Sequence, residues 1–178
     1  SWSSRPLGWI SRKKCPGSNE VSAAYLCELG DVAREYLETG PTAIQSYEAA
    51  LARDPRNEGS RAGLRALLRR PELRAEAVRV LLAAHVTTDE WRAILELTEH
   101  RIATAKDGTA RIAIFHEAAS ISEKRGDDRE AAFSLVRRAF LLDPGRADSE
   151  AELFRLAELT KSWRSVADAQ REAIDAKE

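Results

Sequence analysis

Two stretches of this 178-residue chain spell the same residue pattern twice. Ala43, Ala50, Asp54 and Pro55 return as Ala132, Ala139, Asp143 and Pro144, each 89 positions further on. Trp91, Arg92, Ile94 and Ile102 return as Trp163, Arg164, Val166 and Ile174, each 72 positions further on. Repetition on this scale marks stacked helical units, each burying its apolar face against its sequence neighbours. Because the two offsets differ by 17 positions, the first unit holds one additional short helix between its Asp-Pro stop and its tryptophan. Arrays of this kind act as binding surfaces more often than as catalytic centres.

Composition narrows the secondary structure. Aromatic residues make up only 6% of the chain, while Ala, Leu, Glu and Arg dominate, a balance that favours helix over strand. No stretch sustains the two-residue alternation of a half-buried strand. The fold class is all-α. A net charge of −1 gives no global field toward nucleic acid or membrane. No apolar run approaches the ~18 residues of a spanning helix, and the first twenty residues lack a secretory core. The two cysteines, Cys15 and Cys27, match no zinc or redox spacing, so a reducing, cytoplasmic setting is expected. The chain has no methionine, even at position 1, which reads as a fragment of a longer array.

Residues 1–18 stand apart as a basic, weakly ordered leader, with Trp2, Trp9, Pro6, Pro16, four cations and no acid. From Asn19 to the end, residues 19–178, helical periodicity takes over. Val21, Tyr25, Leu29, Val32 and Tyr36 share one face, read as the core side of the first helix. Gly40 is expected to end it in the left-handed region, with Pro41 in the first turn of the next. The second helix carries Ala43, Ile44, Tyr47, Ala50 and Leu51 on a stripe and stops at Asp54-Pro55. Further helices are expected over about 58–69, 72–86, 88–105, 110–124, 129–142, 147–160 and from Ser162 on. Thr88 is read as an N-cap and Gly126 as a left-handed stop. The total is about nine.

These helix pairs resemble the tetratricopeptide superfamily. The resemblance rests on Phe115, Ala118 and Ala119 in one helix, Ala132, Val136 and Ala139 in the next, and Pro144 at the stop, with one residue inserted at Gly126-Asp127-Asp128. Leu29, Val32, Ala33, Tyr36, Ala43, Tyr47, Ala50 and Pro55 match likewise, with a turn about two residues short. The Trp91 and Trp163 helices look like a divergent branch found in long bacterial arrays. The resemblance covers roughly residues 20–178. It implies a right-handed α-α superhelix, a solenoid whose groove binds a peptide segment or protein, with no catalytic residues to carry over. Apart from the name, small residues such as Ala33, Ala43, Ala119, Ala132 and Ala139 let helix axes close to roughly 8–9 Å. Trp91 and Trp163 are read as equivalent buried wedges between hairpins.

No reactive constellation emerges. His116-Glu117 opens like a zinc-protease motif, but Ser120 stands where the second histidine is required. Ser11 and Lys14 lack companion motifs, and no glycine-rich phosphate cradle is present. His85 reads as a core side chain. One charge asymmetry stands out: eight arginines against four acids between Arg53 and Arg79. Arg61, Arg65 and Arg69, four residues apart, are expected to line one helix face and clasp carboxylates on a protein or peptide partner. The expectation is a non-catalytic interaction scaffold without metal, cofactor, small-molecule substrate or nucleic-acid ligand. The competing reading is a structural spacer that holds other domains apart.

Overall fold

The computed structural model describes residues 18–36 and 39–175, and among them every regular element is helical. The leader expected over residues 1–18 lies outside the described residues except for Ser18, which already belongs to the first helix. In chain order the helices are α1 Ser18–Glu35, α2 Gly40–Arg53, α3 Glu58–Leu67, α4 Pro71–Thr87 and α5 Trp91–Glu96. There follow α6 Thr98–Thr104, α7 Gly108–Gly126, α8 Arg129–Leu142, α9 Ala147–Thr160 and α10 Trp163–Asp175. Ten helices replace the expected nine because the Trp91 helix is interrupted at Leu97. That residue keeps right-handed angles (φ −80°, ψ −8°), so the interruption is a tightened turn, not a change of direction.

Substantial packing joins only helices one or two places apart in chain order. One apolar cluster fills the space among α1–α4 and reaches Leu97. A second unites α7–α10. Between them Ile112, Phe115 and Ala139 pack with Ile102, which fastens α6 to the second half.

The repeat is conformational as well as textual. Asp54 and Asp143 both end their helices in extended backbone, at φ −138°, ψ 93° and φ −150°, ψ 88°. In each, the carboxylate then accepts from the amide two residues on, Arg56 at 3.0 Å and Gly145 at 3.1 Å. Extended angles are what a following proline enforces. The 89-residue correspondence also runs outward through α1–α3 and α7–α9. Ser60, Leu64 and Leu67 are buried as are Ser149, Leu153 and Leu156, and Ala23 and Ala33 as are Ile112 and Ser122. At this offset Gly30 matches Ala119. The first-helix register read from the sequence is therefore displaced by three residues.

Three expectations about α1 and the turns fail for steric reasons. The large apolar residues of α1 face outward: Val21, Tyr25, Leu29, Val32 and Tyr36 are all exposed. The buried face consists of Ala23, Cys27, Gly30 and Ala33, because α2 approaches too closely for anything larger. Neither Gly40 nor Gly126 is left-handed; that conformation falls on Asp89, Asp127 and Lys161 at φ 56°, 51° and 56°. Gly40 is glycine for room, since a Cβ there would lie 2.2 Å from Leu73 Cδ1. Thr88 does not cap a following helix. It ends α4, its hydroxyl donating to the Ala84 carbonyl at 3.0 Å. Trp163, expected to be buried like Trp91, is 48% exposed. Its ring meets Phe154 on one side, with centroids 6.0 Å apart.

Tyr47 is the largest fully buried side chain and sits between two glycines. A Cβ on Gly30 would come within 2.5 Å of its ring, and one on Gly63 within 2.3 Å. Its hydroxyl donates to Asp31 Oδ1 at 2.7 Å and accepts from Arg34 Nε at 3.1 Å. Burial, followed by the bond to Asp31, pushes the phenol above its ordinary range. Alanine normally improves a helix over glycine by roughly 1 kcal/mol. Here the sign reverses: Gly30→Ala and Gly63→Ala should each lower stability in urea titrations by about 1–3 kcal/mol, the usual cost of overpacking. Gly108→Ala, where a Cβ meets nothing, should be neutral or slightly stabilising.

Candidate functional site

The three arginines singled out by spacing do not form one open stripe. Arg61 is buried, whereas Arg65 stays exposed on α3 and Arg69 stays exposed in the turn beyond it, because the helix expected to reach residue 69 ends at Leu67. The first turn of α3, capped by Asn57 accepting from the Ser60 amide at 2.9 Å, leans against the end of α4. This carries the Arg61 stem into the interior, where its head is fully used. Nε donates to the Pro55 carbonyl at 2.9 Å, and Nη2 to Thr88 Oγ1 at 3.3 Å. Nη1 pairs with Glu90 at 2.9 Å and with Glu58 at 3.4 Å. Arg61 is an internal tie, not a surface contact.

Glu90 is the hub of that tie. Its Oε2 also lies 2.7 Å from His85 Nδ1, and His85 is buried. His85 and Glu90 are five residues apart, a spacing that does not share a helix face. They meet because α4 closes in a left-handed turn at Asp89, with the Glu90 amide donating to the His85 carbonyl at 2.9 Å and the Asp89 amide to Val86 at 3.2 Å. Burial pushes the Glu90 carboxyl up, but hydrogen bonds from His85 and Arg61 outweigh it and hold it below the usual range.

Above this floor, α3 and α5–α6 enclose two adjoining hollows of about 480 and 350 Å³. They share Arg65, His85, Ala93 and Glu96. Arg65 reaches only Glu58, at 3.9 Å, and Arg69 has no ionic or hydrogen-bonded partner among the described residues. Arg92 faces the same cleft with its guanidinium 4.3 Å from the centre of the Trp91 ring. His100 lies at the Arg69 end. The cleft thus offers three guanidiniums, with Glu58, paired to Arg61 and Arg65, and Glu96 among the acids at its wall. It can pair with carboxylates at fixed points along an extended segment. Sequence reasoning found Arg65 and Arg69 from their spacing. It missed Glu90 and Arg92, although the recurrence of the Trp-Arg pair was visible.

The other histidine-bearing motif is structural. His116 Nε2 lies 2.9 Å from Ser149 Oγ and links α7 to α9. Among the described residues no group of His, Cys, Asp and Glu could hold a metal ion, and no helix is long and apolar enough to cross a membrane. Cys27 is buried and unpaired, and burial pushes its thiol up; Cys15 lies outside the described residues. Comparison with protein-family models, curated proteins and solved structures finds no match.

Removing one partner of a buried ion pair strands the other. Arg61→Ala should therefore destabilise the chain by about 3–5 kcal/mol. Lysine should not restore it, because a single ammonium cannot reach Pro55, Thr88 and Glu90 together. The depressed folded-state value of Glu90 means that its ionised form stabilises above the unfolded value, near 4.5, and that this contribution fades as pH falls through the folded value. Urea titrations should show wild type well above Glu90→Gln at about pH 6, with the gap closing below about pH 4.

Proposed function

We propose that this chain is a tetratricopeptide-like solenoid acting as a non-catalytic scaffold, which holds a peptide or protein segment in the cleft between α3 and α5–α6. Packing confined to helices one or two places apart supports the solenoid reading, as does the return of one turn geometry after 89 residues. The observation that carries the functional reading is the pair Arg65 and Arg69. Both are displayed along the cleft, Arg65 on an arginine-anchored helix and Arg69 in the turn that follows it, and neither is satisfied by a close acid. The buried Arg61–Glu90–His85 cluster holds α3 rigidly, which lowers the ordering cost of binding. An acidic, extended segment fits this chemistry.

A second reading has its own support. Arginine–carboxylate pairs at the surface link helices one or two places apart, as in Arg79–Glu48, Arg101–Glu117, Arg155–Glu123 and Arg137–Glu172, and Arg125 ties α7 to Asp89 in the turn before α5. Such a laced surface suits a stiff spacer that binds nothing through its groove. The two readings separate in one titration. A fluorescein-labelled octaglutamate peptide should bind the wild-type chain and be released by salt. Arg65→Glu/Arg69→Glu, which leaves Arg61 intact, should bind at least about tenfold more weakly with an unchanged circular dichroism melt. Equal binding by both proteins, or none by either, would remove the cleft reading and favour the spacer.

A further inference from the structure

The two copies of the helical unit differ in what covers them. At equivalent positions α1 and α7 differ most consistently along one stripe, where α1 is the more exposed at all four places. On α7, Ala118 is buried and Ala110, Ile114 and Ile121 are half-buried. Their equivalents 89 residues earlier, Leu29, Val21, Tyr25 and Val32, are 41%, 56%, 62% and 46% exposed. The α7 stripe lies toward α5–α6: Glu117 at its edge accepts from Arg101 of α6 at 2.6 Å, and Arg125 on its line donates to Asp89, just ahead of α5, at 2.9 Å.

The complementary stripe shows the same contrast. Trp91, Leu95, Thr98 and Ile102 are all buried or half-buried. Their equivalents 72 residues later, Trp163, Ala167, Gln170 and Ile174, are all exposed, Trp163 at 48% and Ile174 at 62%. The α1 and α7 stripes advance by steps of four, four and three residues and the α5–α6 and α10 stripes by four, three and four, the spacing of a seam where one helix lies along another. Helix α10 is to α1 what α5–α6 is to α7. The chain makes this contact once internally, and among the described residues each half of it is presented again without a covering helix.

From this correspondence we propose that α1 is the docking face for α10 of a second copy of this chain, giving head-to-tail association. In the internal contact α5–α6 runs antiparallel to α7, so Trp163 comes to the Tyr36 end of α1 and Ile174 to the Val21 end. The ionic pairs of the internal contact are not carried over. Arg125 and Asp89 correspond to Tyr36 and Lys161, and Arg101 and Glu117 to Ala173 and Glu28. The association is therefore apolar in origin and insensitive to salt, unlike peptide binding in the arginine cleft. The contact is heterologous and repeats without a two-fold axis, so growth continues beyond a dimer.

The test uses sedimentation of the full chain and two surface variants. Tyr25→Asp/Leu29→Asp breaks the α1 face, and Trp163→Asp/Ile174→Asp breaks the α10 face. An Ile174→Asp single variant serves as control, since that side chain has no internal ring contact. Circular dichroism melts check that each is folded. The average mass of wild type should at least double between about 10 μM and about 1 mM, the range of a small interface, and should not fall on adding salt. Each double variant should stay monomeric alone, while an equimolar mixture gives a one-to-one dimer that grows no further. A monomeric wild type at every concentration overturns the proposal. Dimers of the Trp163 variant alone overturn it too, by pairing α1 with α1. So does a wild type that associates only after Trp2→Asp/Trp9→Asp, which would assign the α1 face to residues 1–17.

Discussion

Close approach between helix backbones governs this structure, and the Tyr47 slot is where it is most exacting. Gly30 on α1 and Gly63 on α3 leave only enough room for one aromatic ring, and Tyr47 on α2 fills it completely. Three helices are thereby fixed at one point. The second unit solves the same problem with a smaller ring of volumes, Val136 against Ala119, in the equivalent place. A unit can thus trade a bulky residue on one helix for a missing Cβ on its neighbour and keep its geometry. Packing at crystal-like density imposes that trade.

The same constraint explains what the sequence disclosed and what it hid. Helix positions, the all-α class and the Asp-Pro stops followed from periodicity and proline chemistry, which act locally. The buried face of α1 did not. A hydrophobic stripe suggests that the largest apolar residues go inward, but the neighbouring helix selects for the smallest, so Ala23 and Gly30 are inside and Tyr25 is outside. Arg61 was legible as charge, while its burial depended on where α3 leans. Its partner Glu90 was out of reach because a spacing of five becomes a contact only through the left-handed turn at Asp89. Arg65 was legible because helix faces repeat every three to four residues, whereas Arg69 lies past the end of α3 at Leu67, a stop that spacing alone does not disclose. Trp163 was misjudged by analogy: its sequence context repeats that of Trp91, but the following helix that covers Trp91 has no counterpart among the described residues.

Electrostatics here acts in two separate ways. Surface pairs such as Arg155–Glu123 and Arg79–Glu48 join neighbouring helices in high dielectric, where each is worth about 0–1 kcal/mol and is screened by salt. The interior cluster around Glu90 is different, because its members have exchanged water for one another. Together they hold the stem of α3 rigid while the tips of Arg65 and Arg69 remain available. One structural arginine on α3 is thus followed by two displayed ones, Arg65 on the helix and Arg69 in the turn beyond it.

The restriction of packing to near neighbours also shapes how the chain acquires its structure. Its two principal clusters, one in α1–α4 and one in α7–α10, share no residue and meet only through α5 and α6. Chains whose contacts are this local close small loops first and reach the native state quickly, on timescales of roughly microseconds to milliseconds for small helical domains. Either half can begin, and the Leu97 turn between α5 and α6 is the seam across which one half templates the other. The packing of α5 and α6 on α7 is also where the two clusters would separate first under load, with each half keeping its own core.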